Sequence, residues 1–215
     1  MTDTRIPTAV DTVADSYLDD WAELDPMMAT YLGIPGHDAR LPELSPDWLA
    51  ARSALRQRTL SALAAAEPSD ANDQVTVAAL REALTVEEEL RAVGVEESNL
   101  KNIASPAQEI RDIFDLTPSA TVDDWATVAA RLNAVPTAVA GYIESLRLAA
   151  SRGDVSARRQ VQACITQGAD NVGADGFFAK FAREAAACDG AELPASVRAD
   201  LERTAAGAAQ AYERL

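Results

Sequence analysis

One histidine, His37, and two cysteines, Cys164 and Cys188, are the only nitrogen and sulfur metal donors in the 215 residues. Zinc sites take three or four donors at short range, so this inventory is poor. HExxH is absent, and so are the paired Glu-x-x-His motifs of a di-iron carboxylate bundle. The cysteines are distant and form no CxxC, which excludes a disulfide framework and leaves a reducing cytoplasm as the expected compartment. No GxSxG elbow, GxxxxGK[ST] loop or GxGxxG turn occurs. The segment DNVGADG, residues 170–176, fails as a calcium loop. With Gly176 at the turn position, Gly173 takes a ligand position and Ala182 stands where a bidentate glutamate belongs.

Basic residues are scarce beside acidic ones: 19 against 34, for a net charge of -15. A chain this acidic repels phosphate backbones and anionic lipid surfaces, so neither nucleic acid nor membrane is an expected partner. The imbalance is concentrated in residues 1–50, with ten acids and two bases. Long apolar runs are also missing. The stretch from Leu132 to Ile143 is too short to span a bilayer and contains Pro136. The N-terminus, with Asp3, Asp11 and Asp15, has no basic region leading into an apolar core and does not read as a secretory signal. Aromatics make up only 5%, and no alternating strand pattern is visible.

What is present is helical. Alanine, leucine and valine dominate the apolar set and suit closely packed helices. Val10, Val13, Ala14, Tyr17, Leu18, Trp21 and Leu24 recur at three- and four-residue steps and predict a first helix. Pro26 opens a short second one through Leu32. Residues 33–45 form a loop. Ser45-Pro46 restarts a helix to about Ala66, and a long helix follows the 67–70 turn and stops at Gly94. Ser105 with Gln108 is a capping box. Thr121 caps a helix containing Trp125, Val128, Ala129 and Leu132, in which Pro136 marks either a kink or a new start. That helix ends near Gly153. Helices over Ala157–Gln167, Phe177–Ala187 and Pro194–Tyr212 complete the chain, and the last keeps its period to Leu215 with no cap, as a cut helix would. The expectation is an all-α, irregular multi-helix bundle of about eight to ten helices. It is a single helical domain or half-domain over 1–215, with a subdivision near 94–105.

Among single residues, Cys164 lies between Val161 and Ile165 at helical spacing and reads as core. Cys188, next to Asp189 near a helix end, gains no help toward a thiolate. Glu87, Glu88 and Glu89 read as a solvated helix face. Arg158 and Arg159 stand at the start of a helix, where cations oppose the helix dipole. That points to a specific partner for one of them, or to an ordinary ion pair.

Several of these stretches, taken in order, resemble the N-terminal half of the bacterial DUF885 family. DPMMATYLGIPGHDARLPELSP, residues 25–46, is similar to its Pro-x-x-Ala-Thr-x-Leu-Gly signature with the following Asp-x-x-Leu-Pro-x-Leu-Ser loop. Residues 110–167 are similar over a Thr-Pro turn, an acidic helix start with tryptophan, an Arg-Leu-x-x-Val-Pro hinge and a Gly-x-x-x-Arg-Arg-Gln-Val helix start. FFAKFAREA and AYERL continue the likeness.

The resemblance implies the N-terminal part of a gluzincin-like helical zinc peptidase, in which these helices wall or cover a cleft floored by a His-Glu-x-x-Pro-Gly-His helix. Set against that motif, Tyr31 and Leu32 stand where the first histidine and the glutamate belong, so Pro35-Gly36-His37 belongs to the loop and is no metal site. No catalytic or metal-binding residue carries over, and zinc is expected only in a missing C-terminal half. Arg158, Arg159 and Gln160 match the start of a family helix and are the candidate cleft or partner contacts. The expected partners are a chain carrying the C-terminal half or a second copy docked through an apolar helical face. The alternatives are a stand-alone, non-catalytic helical binding or scaffold protein, or an enzyme working with carboxylates only.

Overall fold

The structure, a computed structural model, describes residues 5–183, 185 and 193–215. Among these residues it is all-α. Its helices are α1 (Ala9–Leu24), α2 (Pro26–Leu32), α3 (Pro46–Ala65), α4 (Ala71–Ala92), α5 (Pro106–Asp112), α6 (Val122–Ser151), α7 (Arg158–Ala169), α8 (Phe177–Arg183) and α9 (Ala195–Tyr212). A 3-10 turn over Ile113–Asp115 extends α5.

The starts follow side-chain chemistry. Asp25, Ser45 and Asp70 accept backbone N–H bonds at the first turns of α2, α3 and α4, and Thr8–Asp11 and Thr121–Asp124 form reciprocal boxes. At α5, the Gln108 Oε1 accepts from both the N–H and the hydroxyl of Ser105. Gly33 and Gly94 end α2 and α4 at φ 71 and 78, left-handed values that favour glycine.

Pro136 does not start a new helix; α6 continues through it from Val122 to Ser151. The last helix ends at Tyr212, and residues 213–215 turn back with the Leu215 N–H on the Tyr212 carbonyl at 3.2 Å. The expected extension of α8 toward Ala187, and Cys188 with it, lie outside the described residues.

The long helix α6 is the axis of the core. Its buried face runs from Trp125 through Val128, Leu132, Val135, Val139 and Tyr142 to Ala149. Helix α9 lies along it and α8 packs on α9, while α1, α3 and α4 pack together around Val10, Leu63 and Val77. All four phenylalanines of the chain, Phe114, Phe177, Phe178 and Phe181, meet in one cluster with Trp125 and Tyr212. This cluster fixes α8 against the end of α5. Fully burying a phenylalanine contributes on the order of 2 kcal/mol, so a few rings suffice to hold a seven-residue helix.

The loop 33–45 lies against α6. Leu44 adopts φ 56, uncommon for a non-glycine residue, with its side chain buried and its carbonyl accepting from the Ser145 hydroxyl at 2.7 Å. Beneath it sits Gly141. A Cβ there would strike the Glu43 carbonyl oxygen and lie 2.9 Å from the Ser45 backbone nitrogen. No helix of the described residues is long and apolar enough to cross a membrane.

Candidate functional site

The single histidine lies in a loop fastened from below by Arg131, which is fully buried on α6. Its guanidinium donates to the Thr117 hydroxyl at 2.7 Å, the Thr30 hydroxyl at 2.7 Å, the Arg40 carbonyl at 3.2 Å and the His37 carbonyl at 3.3 Å. Asp38 supplies the countercharge at 3.5 Å and accepts from Thr30 at 2.6 Å. Burial pushes the Arg131 guanidinium down to about 10, against a smaller opposing pull from Asp38, so it stays charged at neutral pH. His37 thus contributes its backbone oxygen to the clamp. Its ring Nδ1 lies 2.7 Å from the Arg40 guanidinium, which can only donate.

A second buried cation, Arg56 on α3, joins α3 to α4 and the segment after it. It bonds Glu88 at 2.6 Å and Glu96 at 2.9 Å, and reaches Glu87 at 3.3 Å. Glu88 also accepts from Ser53 and Gln57. The expectation of a solvated glutamate face is therefore corrected. Glu89 is exposed and Glu87 reaches Arg56 with its side chain still 41% exposed, whereas Glu88 turns inward because Arg56 occupies a core position and needs acceptors. Both buried arginines could have been suspected from sequence. Arg131 interrupts the apolar spacing Val128–Leu132–Val135, and Arg56 sits three residues after Ser53 and seven before Leu63 on the buried face of α3.

Helix α7 carries the sequence candidates. Arg158 and Arg159 stand exposed in its first turn and form no ion pair among the described residues. Gln160 does something different: its Oε1 accepts from the Asn102 N–H at 2.7 Å and ties α7 to the 101–108 segment. Gln167 does the same two turns later, donating to the Asn102 carbonyl at 3.0 Å and accepting from Gln108 at 2.8 Å. Among the described residues, the three candidates thus separate into two exposed cations and one anchor.

Cys164 is not core, contrary to the reading from its apolar neighbours. No residue of α7 is buried, and Ile165 is 58% exposed. The thiol donates to the Lys101 carbonyl at 3.0 Å and lines a cavity of about 340 Å³. Val161 and Ile165 wall that cavity on the α7 side, and Leu100, Leu146, Val172 and Tyr212 on the other. The helical period was read correctly; what fails is the assumption that an apolar stripe always finds a tight partner.

Sequence reasoning also missed two carboxylates. Asp25 is buried at the start of α2, and burial pushes it upward against the Met28 N–H bond that holds its charge. Glu109 on α5 is raised by burial first and by Asp25 second, and its side chain makes no hydrogen bond or ion pair among the described residues. An acid whose folded pKa exceeds its unfolded value of about 4.3 costs stability at neutral pH, and that cost disappears as pH falls toward the unfolded value. Glu109→Gln is therefore expected to raise Tm by about 1–3 °C at pH 7. The gain should shrink toward zero near pH 4.5 in melts followed by circular dichroism.

The His37 ring faces Arg40, and no group of three histidine, cysteine, aspartate or glutamate side chains among the described residues is placed to hold a metal ion. Among known families, the model described as a bacterial protein of unknown function (DUF885) matches residues 26–215. No curated protein matches the chain.

Proposed function

We propose a scaffold role for this chain, which belongs to the DUF885 family: it is the helical wall or lid of a zinc-peptidase-like protein, is not catalytic by itself, and is completed by a zinc-motif half outside residues 1–215. One observation carries the reading. The residues that make the chain resemble the family are engaged in holding it together. Thr30 and Asp38 from the 25–46 stretch close onto Arg131 from the 110–167 stretch, and Gln160 anchors a helix. Residues spent on internal bonds support a structural part better than a reacting one. The zinc-motif partner and the peptidase chemistry are inferred from the resemblance.

The test is to produce the chain alone and together with a chain bearing His-Glu-x-x-Pro-Gly-His. The expected result is cooperative melting of the isolated chain, no zinc-dependent cleavage of a peptide library by it, and a stable complex on mixing. Peptide cleavage by the isolated chain, or no association at any concentration, would sink the scaffold reading. The second reading, a stand-alone binding protein, is favoured by the cavity under α7.

A further inference from the structure

We propose that the cavity beneath α7 binds a small, uncharged, alkyl-chain compound. This goes beyond the scaffold reading and does not rest on it. The reason begins with how α7 is held. Its apolar residues Val161, Cys164 and Ile165 share one face, yet none is buried. Polar bonds fix the helix at its distance from the core: Gln160 and Gln167 to Asn102, Gln108 to Gln167, and Cys164 to Lys101. Between this strap and the core lie about 340 Å³ of apolar-walled space. That is within the size range of small-ligand sites, and apolar voids of this kind accept apolar molecules in preference to water.

The lining also selects the occupant. Its amide, thiol and phenol groups are already engaged. The Gln108 amide bonds Ser105, Lys101 and Gln167, and the Tyr212 hydroxyl donates to the Ala107 carbonyl at 3.0 Å. Among the lining side chains, only the exposed Glu213 carboxylate is left to accept a hydrogen bond from a ligand. Glu213 is the one charged side chain on the wall, so an anionic head group is repelled and an uncharged one is not. Charge and polarity together favour a neutral hydrocarbon tail over a fatty carboxylate, and the thiol of Cys164 sits where it would report occupancy.

The full chain is titrated with the neutral fluorophore N-phenyl-1-naphthylamine, then with 1-decanol and with decanoate as competitors. Saturable binding is expected, with decanol displacing the probe about tenfold more effectively than decanoate. Alkylation of Cys164 by N-ethylmaleimide, read on its own peptide by mass spectrometry, should slow several-fold with decanol. Val161→Trp should fill the space and abolish probe binding while the melt stays cooperative. Should that variant misfold, Ile165→Asp, at an exposed position, should weaken binding in a folded chain. Absence of saturable binding, equal competition by decanoate, or binding unaffected by a folded variant would overturn the proposal. So would protection of Cys164 that grows with protein concentration without ligand, which would assign the groove to a second copy. Mixing with a zinc-motif chain tests only the scaffold reading, so the two can fail separately.

Discussion

Replacing Gly141 with alanine is expected to lower stability by about 3 kcal/mol or more, the upper end for overpacking a close-packed site, and to drop Tm by roughly 10 °C. The new methyl would meet the Glu43 carbonyl oxygen, with Ser45 nitrogen at 2.9 Å and Ser45 Cβ at 3.1 Å. Two of these are backbone atoms and cannot move aside as a flexible side chain could. Relief requires shifting the 43–45 segment, and that segment is pinned by the buried Leu44 side chain and by the Ser145–Leu44 bond. Gly207 on α9 is the control. Its nearest neighbour would be Pro136 Cγ at 3.9 Å, an ordinary contact. Gly207→Ala should therefore stabilise by up to about 1 kcal/mol through helix propensity alone. Thermal melts of the two variants should move in opposite directions. If Gly141→Ala melts like the parent, the close approach of loop and helix is wrong.

Arg131→Met is expected to cost about 3–5 kcal/mol, the range for breaking a buried charged network by removing one partner. The apolar replacement keeps much of the volume but leaves the His37 and Arg40 carbonyls and the Thr30 and Thr117 hydroxyls without their shared donor. Asp38 loses its countercharge as well. Arg131→Lys should recover only a part of the loss, because an ammonium cannot span four acceptors set around a planar fork. Denaturant unfolding measures the cost. Limited proteolysis within 33–45 locates it, since the clamp holds that loop. A variant as stable as the parent with the loop still protected would mean that Arg131 does not fasten it.

Much of the architecture was legible along the chain because helix ends are local events. Ser45-Pro46, the Ser105–Gln108 pair, Thr121 and Gly94 each act within one turn of where they stand, and each marks a boundary the structure has. Pro136 was ambiguous in sequence for the opposite reason. Whether a helix survives an internal proline depends on what packs around it, and here Pro136 faces α9, with its Cγ 3.9 Å from where a Cβ on Gly207 would stand. The candidate trio at residues 158–160 was located on the right helix, but its division into two exposed arginines and one anchoring glutamine needed Asn102, 58 residues before Gln160.

The sequence by itself determined an all-α chain, the order and limits of most helices, the loop setting of Pro35-Gly36-His37, and membership of a family. All of these rest on local caps, periodicity and ordered motifs. Only the tertiary structure decided which charges go inside, why Glu88 turns from solvent to Arg56, and why α7 stands off the core over an apolar cavity. The physical reason is distance along the chain. Arg131 finds Thr30 across 101 residues and Arg56 finds Glu88 across 32, and a buried cation is tolerated only where folding has gathered its acceptors.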